Sequence, residues 1–312
     1  MKSEIPEWKK INCYICILEN PNSGPEEHRD KVAKLAQLLK NAGYNTRHEQ
    51  LISIEQTKAQ IDTHLHNGCK LIIAAGGDGT VRSIYQCLDN KNIPIFIFPV
   101  GTENLLAREV GSPDDPQVAF DAIENFRIRK IDMVQINKTI FLSVGGVGID
   151  SQVVNILDNS RKGHIKKMDY VWPTLKTFFT YKFPAIKITA DDNLICDQPA
   201  ILFLGNISRY GGGFKLFENA LCDDGKIDLV IFRCSNVFQL LYLFALTVLG
   251  IVRKSKMSSR YQCSKIKIES TATLNSQIDG DPGPQLPLDI IMQPGALTLL
   301  VPANNTDGRM IK

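Results

Sequence analysis

The 312-residue sequence carries no strong imbalance of charge: 36 Lys and Arg stand against 33 Asp and Glu, a net of +3. That excludes a global basic field of the kind that gathers nucleic acid, although local clusters can still act. A dense cysteine framework is also missing. The eight cysteines, at 13, 16, 69, 87, 196, 222, 234 and 263, are scattered through apolar or mixed segments. This excludes a small disulfide scaffold and reads as reduced, intracellular thiols. No apolar run reaches the ~20 residues needed to cross a bilayer. The longest, VFQLLYLFALTVLGIV at 237–252, has 16 residues broken only by Gln239 and Thr247. It is expected to form a buried or interfacial helix. The opening MKSEIPEWKK, with its acids and proline, is unlike a signal peptide, so a cytoplasmic location is expected. Internal repeats and low-complexity linkers are absent as well.

Paired metal ligands are scarce too. Cys13 and Cys16 form a C-x-x-C inside a strand-like segment, where a spacing of three places them on opposite faces. His64 and His66, two apart on an expected helix, point in different directions.

What is present is a change of pattern near residue 128. Before it, apolar strands alternate with helices: CYICIL, a helix over 26–41 with Val32, Leu35, Leu38 and Leu39 on one face, then LIIAAG. A helix over about 80–88, IPIFIFPV, LLAREV and DDPQVAFDAIENFR follow. Continuous apolar strands between helices predict a parallel sheet covered on both sides, an α/β fold with its ligand beyond the strand carboxyl ends. After residue 128 the segments are mostly strand-like, predicting a β-rich second domain over 129–312 whose tail can return to the first. Helices are expected there only at 151–159, 164–181 and 237–252.

Three turns in the first domain place small or amide residues just after an apolar strand: Asn20 to Gly24, Gly76 to Thr80, and Gly101 to Asn104. In a parallel sheet they share one edge and surround one crevice. Glycine exposes backbone amides that cradle phosphate, and the helix beginning near Thr80 adds its positive end. Asp78 is out of place beside phosphate unless magnesium bridges the two; the alternative is that it caps the helix that follows. In the second domain, CDDGKIDL (222–229) and QIDGDPGP (277–284) read locally as hairpin turns, because Asp-Gly favours them.

Together these residues resemble the diacylglycerol kinase catalytic family of soluble lipid kinases. The resemblance rests on NPNSG, GGDGT, PVGTENLLAR, YGGGF followed by DDGKIDL, and DGD, in that order. It implies an N-terminal α/β nucleotide domain and a C-terminal β-sandwich. Gly76, Gly77, Asp78, Gly79 and Thr80 would surround the phosphates of ATP, with Asn20, Ser23, Thr102, Asn104 and Asp281 as neighbours. Asp279 would be the general base and Asp78 its catalytic companion. Asp224 would hold a structural Mg2+ with the carbonyls of Leu221 and Lys226. The sequence departs from the family pattern at Glu103 and Leu105, where glycine and aspartate are common. It departs again at Asp281, where glutamate is usual, and at Pro25, Glu26 and Glu27, where many relatives are basic.

Independently, residues 161–187 hold seven Lys or Arg, six aromatics and a single acid, Asp169, and residues 253–267 add six basic side chains. Such stretches suit an anionic lipid surface, and equally a solvated basic face. The reading is a cytoplasmic lipid kinase that meets its substrate at the membrane, binds no nucleic acid and can pair through sandwich edge strands as a homodimer. Phosphorylation of a soluble acceptor such as NAD, or nucleotide and lipid binding without catalysis, stand as alternatives.

Overall fold

The structure, a computed structural model, describes residues 14–24, 27–89, 91–159, 177, 180–211 and 214–303. Cys13, Pro25, Glu26, Gly212 and Gly213 lie outside these, as do the helix expected over 164–181 and the basic aromatic stretch 161–187, for all but their C-terminal residues. The chain divides into two compact units, Met1–Ile131 with Ala296–Lys312, and Asp132–Gly295. Strand β5 (Phe126–Ile136) runs through the first break, so no turn or linker marks it in the sequence.

In the first unit, β1 (Tyr14–Glu19) pairs in parallel with β2 (Asn45–Gln50) on one side and β3 (Cys69–Gly76) on the other. β4 (Ile95–Pro99) extends β3, and Leu299 near the end of the last strand, β15 (Leu288–Pro302), pairs in parallel with Ile95. Every residue of β1 and β4 is buried, as is all of β3 except Lys70, which is why these strands read as unbroken apolar runs. Helix α1 (Glu27–Asn41) buries Val32, Leu35 and Leu39 in the core formed with Ile15, Ile17 and Phe96. α2 (Ile54–His66) is capped by the Ser53 side chain, and α5 (Pro116–Glu124) by Asp115. β2 was not anticipated. Its sequence, NTRHEQ, buries only Thr46, as suits a polar edge strand with no hydrophobic alternation to betray it. His64 is buried against Tyr14 whereas His66 is exposed, in keeping with the divergent directions expected of them.

The second unit is an antiparallel sandwich whose two layers share β9 (Asn193–Gly205). The first half of β9 pairs with β8 (Ala185–Ala190). That layer continues through β12 (Lys265–Glu269) to the start of β15. β5 pairs with β6 (Thr139–Phe141). The second half of β9 pairs with β10 (Ile227–Arg233) and β7 (Val144–Val147). Beyond these lie β11 (Ser258–Cys263), β13 (Asn275–Ile278) and β14 (Asp281–Gln285). β8 and β12 alternate exposed and buried, sending Ile186, Ile188, Ile266 and Ile268 inward to meet Leu202, Leu204, Leu229 and Ile231 from the other layer. Among the described residues, helices α6 (Ile149–Asn159) and α7 (Val237–Val248) attach here.

Candidate active site

The three glycine turns of the first unit do converge. The Asn20 side-chain amide donates to Thr80 Oγ1 at 3.0 Å, tying the first turn to the second. Gly24, at φ +72°, lies so close to the third turn that a Cβ there would stand 1.9 Å from the Val100 carbonyl oxygen. His28 Nδ1 donates to that same oxygen at 2.7 Å. Gly77 and Gly101 pack backbone to backbone: a Cβ on Gly101 would come within 2.8 Å of Gly77 Cα. Asn104, in left-handed conformation at φ 51°, folds its amide back onto the Gly101 carbonyl at 2.8 Å. Its Oδ1 is buried without a hydrogen-bond partner. Ser23 and Thr102 are half-buried residues of the first and third turns.

Helix α3 (Asp78–Cys87) starts one residue before Gly79, and no side chain caps it. Its first amides and its positive end are thus presented beside Gly77, an arrangement suited to an anion. Asp78 does not cap its own helix, contrary to the alternative reading. It is buried, and its carboxylate accepts from the Leu105 and Leu106 amides at 2.9 and 3.1 Å, so it caps α4 (Leu105–Val110) rather than its own helix. Two amides at the start of α4 thus engage its charge. Asn20 likewise acts by joining turns, since its Oδ1 accepts from the Asn22 amide while its Nδ2 holds Thr80. The Leu105 side chain points into the core.

In the second unit Asp279 and Gly280 are the two central residues of the β13–β14 hairpin, both at positive φ (50° and 84°), as a type I′ turn requires. The turn brings the Asp279 carboxylate onto the backbone before β7. Oδ1 accepts from the Ser143 and Val144 amides at 2.8 and 3.2 Å, and Oδ2 from Leu142 at 3.0 Å. Asp281, half-buried, opens β14 opposite Ile278.

The other acidic turn is not a hairpin. Residues 222–226 form an Asx turn, with Asp224 Oδ1 accepting from the Lys226 amide at 3.0 Å, at the start of β10, whose partners are β9 and β11. The two acidic turns are joined by residues that sequence reasoning missed. Buried Asn206 donates from Nδ2 to the Leu142 and Asp132 carbonyls at 2.8 and 2.9 Å. Asp132, also buried, accepts from Gly225 N at 2.7 Å and Gly295 N at 2.8 Å. An acid inside the apolar IDMVQI and an amide closing ILFLGN were the available signals. Asn206→Ala removes the side-chain donor from both carbonyls, so we expect a loss of about 2–3 kcal/mol in denaturant unfolding, larger than for an ordinary surface change.

A second missed network lies behind Asp279. Gln277 accepts from Gly280 N at 3.1 Å, while its Nε2 meets Tyr210 Oη at 2.8 Å and Asp150 Oδ2 at 3.3 Å. Tyr210 also donates to Asp150. Burial pushes the Asp150 carboxyl above its ordinary range, and the bonds from Tyr210 and Gln277 act against that rise. The network therefore holds the hairpin turn that carries Asp279.

Among the described residues no group of three or more His, Cys, Asp or Glu side chains is gathered for a metal. The donor set expected at the 221–226 turn is one carboxylate with backbone oxygens. Asp224 suits such a donor set: burial, with Asp132 as a further like-charge neighbour, raises its pKa, so a hard cation would relieve it. The side chain of Leu221 is exposed, and its carbonyl and that of Lys226 belong to the same turn. Asp228 nearby is pushed up to about 6, first by burial. An acid with a raised folded pKa contributes stability below its unfolded value of about 4 and loses it as pH climbs to about 6. Asp228→Asn should therefore raise the melting temperature at pH 7, by roughly 1 kcal/mol equivalent after solvent screening, and leave it unchanged at pH 4.

A family model described as diacylglycerol kinase catalytic domain matches residues 14–136. A second, described as YegS C-terminal NAD kinase beta sandwich-like domain, matches residues 143–301. Proteins named diacylglycerol kinase from Staphylococcus aureus strains bovine RF122 / ET3-1 and MRSA252 are each 27% identical over 277 residues, 88% of this chain and 88% of theirs. The crystal structure of a diacylglycerol kinase from Bacillus anthracis str. Sterne superposes with a TM-score of 0.71 at 23% identity, covering 94% of this chain and 98% of that one. That likeness is one of fold. The glycine turns lie within the first matched region and the Asp279 hairpin within the second, and the chain belongs to the diacylglycerol kinase catalytic domain family.

Proposed function

We propose that the protein transfers the γ-phosphoryl group of ATP to a hydroxyl of a diacylglycerol-like or sphingoid lipid at a membrane surface. The observation that carries this reading is the convergence of three glycine turns on the uncapped start of α3. Backbone amides of Gly77 and Gly79 and the side chains of Ser23, Thr80 and Thr102 take the phosphates, while Asp78 and Asn20 hold the turns in place. A new bond forms between the acceptor oxygen and the γ-phosphorus, the bond to the β-phosphate oxygen breaks, and ADP leaves. The hydroxyl proton goes to Asp279, which the Leu142, Ser143 and Val144 amides keep in one orientation. Asp281 stands close by along the chain to assist through water.

Magnesium, when bound, supplies neutralisation of phosphate charge and structural support, and Asp224 with the carbonyls of Leu221 and Lys226 is the donor set we assign to the structural ion. Among the described residues no helix is long and apolar enough to cross a membrane. Incubation with labelled ATP, magnesium and a total lipid extract should yield a labelled lipid. In a parallel incubation that offers NAD instead of lipid, label appearing in NAD alone would select a soluble acceptor, and ATP binding without transfer to any acceptor would select a non-catalytic regulator.

A further inference from the structure

α7 is the least protected apolar element among the described residues. Its inner side buries only Leu240 and Leu243. Its outer side presents Phe238 (78% exposed), Leu249 just beyond its end (69%), Leu241, Tyr242, Phe244 and Val248. Phe214, itself exposed, lies against Phe244 with ring centroids 6.3 Å apart and widens the patch. The two polar side chains do not interrupt it. Gln239 accepts from Ser235 N at 2.8 Å, and Thr247 Oγ1 donates to the Leu243 carbonyl at 2.8 Å. Asn236 caps the N-terminus. A helix whose polar groups are met internally and whose free side is apolar needs an apolar medium outside it.

Two facts identify that medium. First, α7 has 12 residues, a rise of about 18 Å, against the ~30 Å of a hydrocarbon core, so it can lie in an interface and cannot span it. Second, its surroundings in the chain have one sign of charge. Between Asp228 and Glu269 there is no acidic residue, while Arg233, Arg253, Lys254, Lys256, Arg260, Lys265 and Lys267 are basic. Arg253 pairs with Glu218 at 2.8 Å, and Lys254 and Lys256 are exposed just past the helix end. An anionic headgroup layer over hydrocarbon offers apolar depth beside negative charge. A second copy of this chain offers no negative partner along the same run.

We infer that α7 is the membrane-docking element: its outer face enters the headgroup boundary of an anionic lipid surface, with Lys254 and Lys256 on the headgroups. The purpose of this docking rests on the lipid kinase reading; the docking itself does not.

The test is flotation of the full chain with vesicles of phosphatidylglycerol and phosphatidylcholine, and with phosphatidylcholine alone. The wild-type protein should float with the anionic vesicles, less so in high salt. The combined change Phe238→Gln, Leu241→Gln and Leu249→Gln, at exposed positions that leave the melting temperature unchanged, should weaken binding roughly tenfold or more. Lys254→Glu with Lys256→Glu should weaken binding to anionic vesicles only. A wild-type protein that does not float, or a glutamine variant that floats as wild type, overturns the inference. So does gel filtration showing a wild-type dimer that the glutamine variant dissociates. Phosphorylation of lipid in detergent micelles separates the two readings. Equal micellar transfer by wild type and glutamine variant, with unequal flotation, supports docking, whereas absence of transfer by either counts against the kinase and leaves flotation to decide the helix.

Discussion

Asp279→Asn is expected to lower turnover by ~10²–10⁴-fold while leaving ATP affinity within about twofold. The carboxylate is the proposed proton acceptor, and the neutral amide cannot accept. Because the transition state of phosphoryl transfer is loose and the hydroxyl proton leaves late, much of the benefit comes from orienting the hydroxyl, which argues for the lower part of that range. The substitution has a structural side that must be measured separately. Three backbone amides point at the carboxylate, and an asparagine can offer its single oxygen to Ser143 and Val144 only by turning its NH2 toward the Leu142 amide. One lost bond costs about 1 kcal/mol, so a small drop in melting temperature should accompany the loss of turnover. Single-turnover kinetics with calorimetric ATP titration check both halves. Near-normal turnover would remove Asp279 from its role.

The second large effect separates a glycine needed for the ligand from one needed for the fold. At Gly77, φ is −94° and an added Cβ would meet its nearest neighbours at 3.7 Å, an ordinary contact. Gly77→Ala should therefore leave stability unchanged or raise it by about 0.5 kcal/mol. Yet a methyl group beside the opening amides of α3 blocks close approach of a phosphate, and ATP affinity should fall at least tenfold, about 1.4 kcal/mol. Gly24→Ala should behave differently. Its positive φ and the Val100 carbonyl at 1.9 Å from the new atom force the first turn off the third. Stability and ATP affinity should both fall, the former by roughly 2–4 kcal/mol. Equal ATP affinity in Gly77→Ala and wild type, by calorimetry, would show that this turn does not approach the nucleotide.

These cases also show what could be read from the residues alone. β1, β3 and β4 were legible because both faces of each are covered, leaving unbroken apolar runs. The convergence of the turns after them follows from parallel topology, so three short motifs far apart in sequence could be assigned to one place. β2, β11 (SSRYQC) and β13 (NSQI) escaped notice because they are polar strands that pairing, and not pattern, recruits. The second duty of Asp78 escaped for another reason. A carboxylate that caps a helix 27 residues later leaves no local mark. Asn206 and Gln277 work through backbone groups of distant segments, and such partners appear only once the chain is folded.

The last strand sets an order of assembly. Leu297, Leu299, Leu300 and Val301 are buried, and Leu299 lies beside Ile95, so β15 adds to parallel strands that end by residue 99, with β5 pairing β15 as well. The first unit thus lacks one of its strands until nearly the whole polypeptide has left the ribosome. Newly made chains carry that unit unfinished while the sandwich segment is synthesised, and a gene fragment stopping at residue 131 encodes a sheet whose β4 flank is left exposed and sticky.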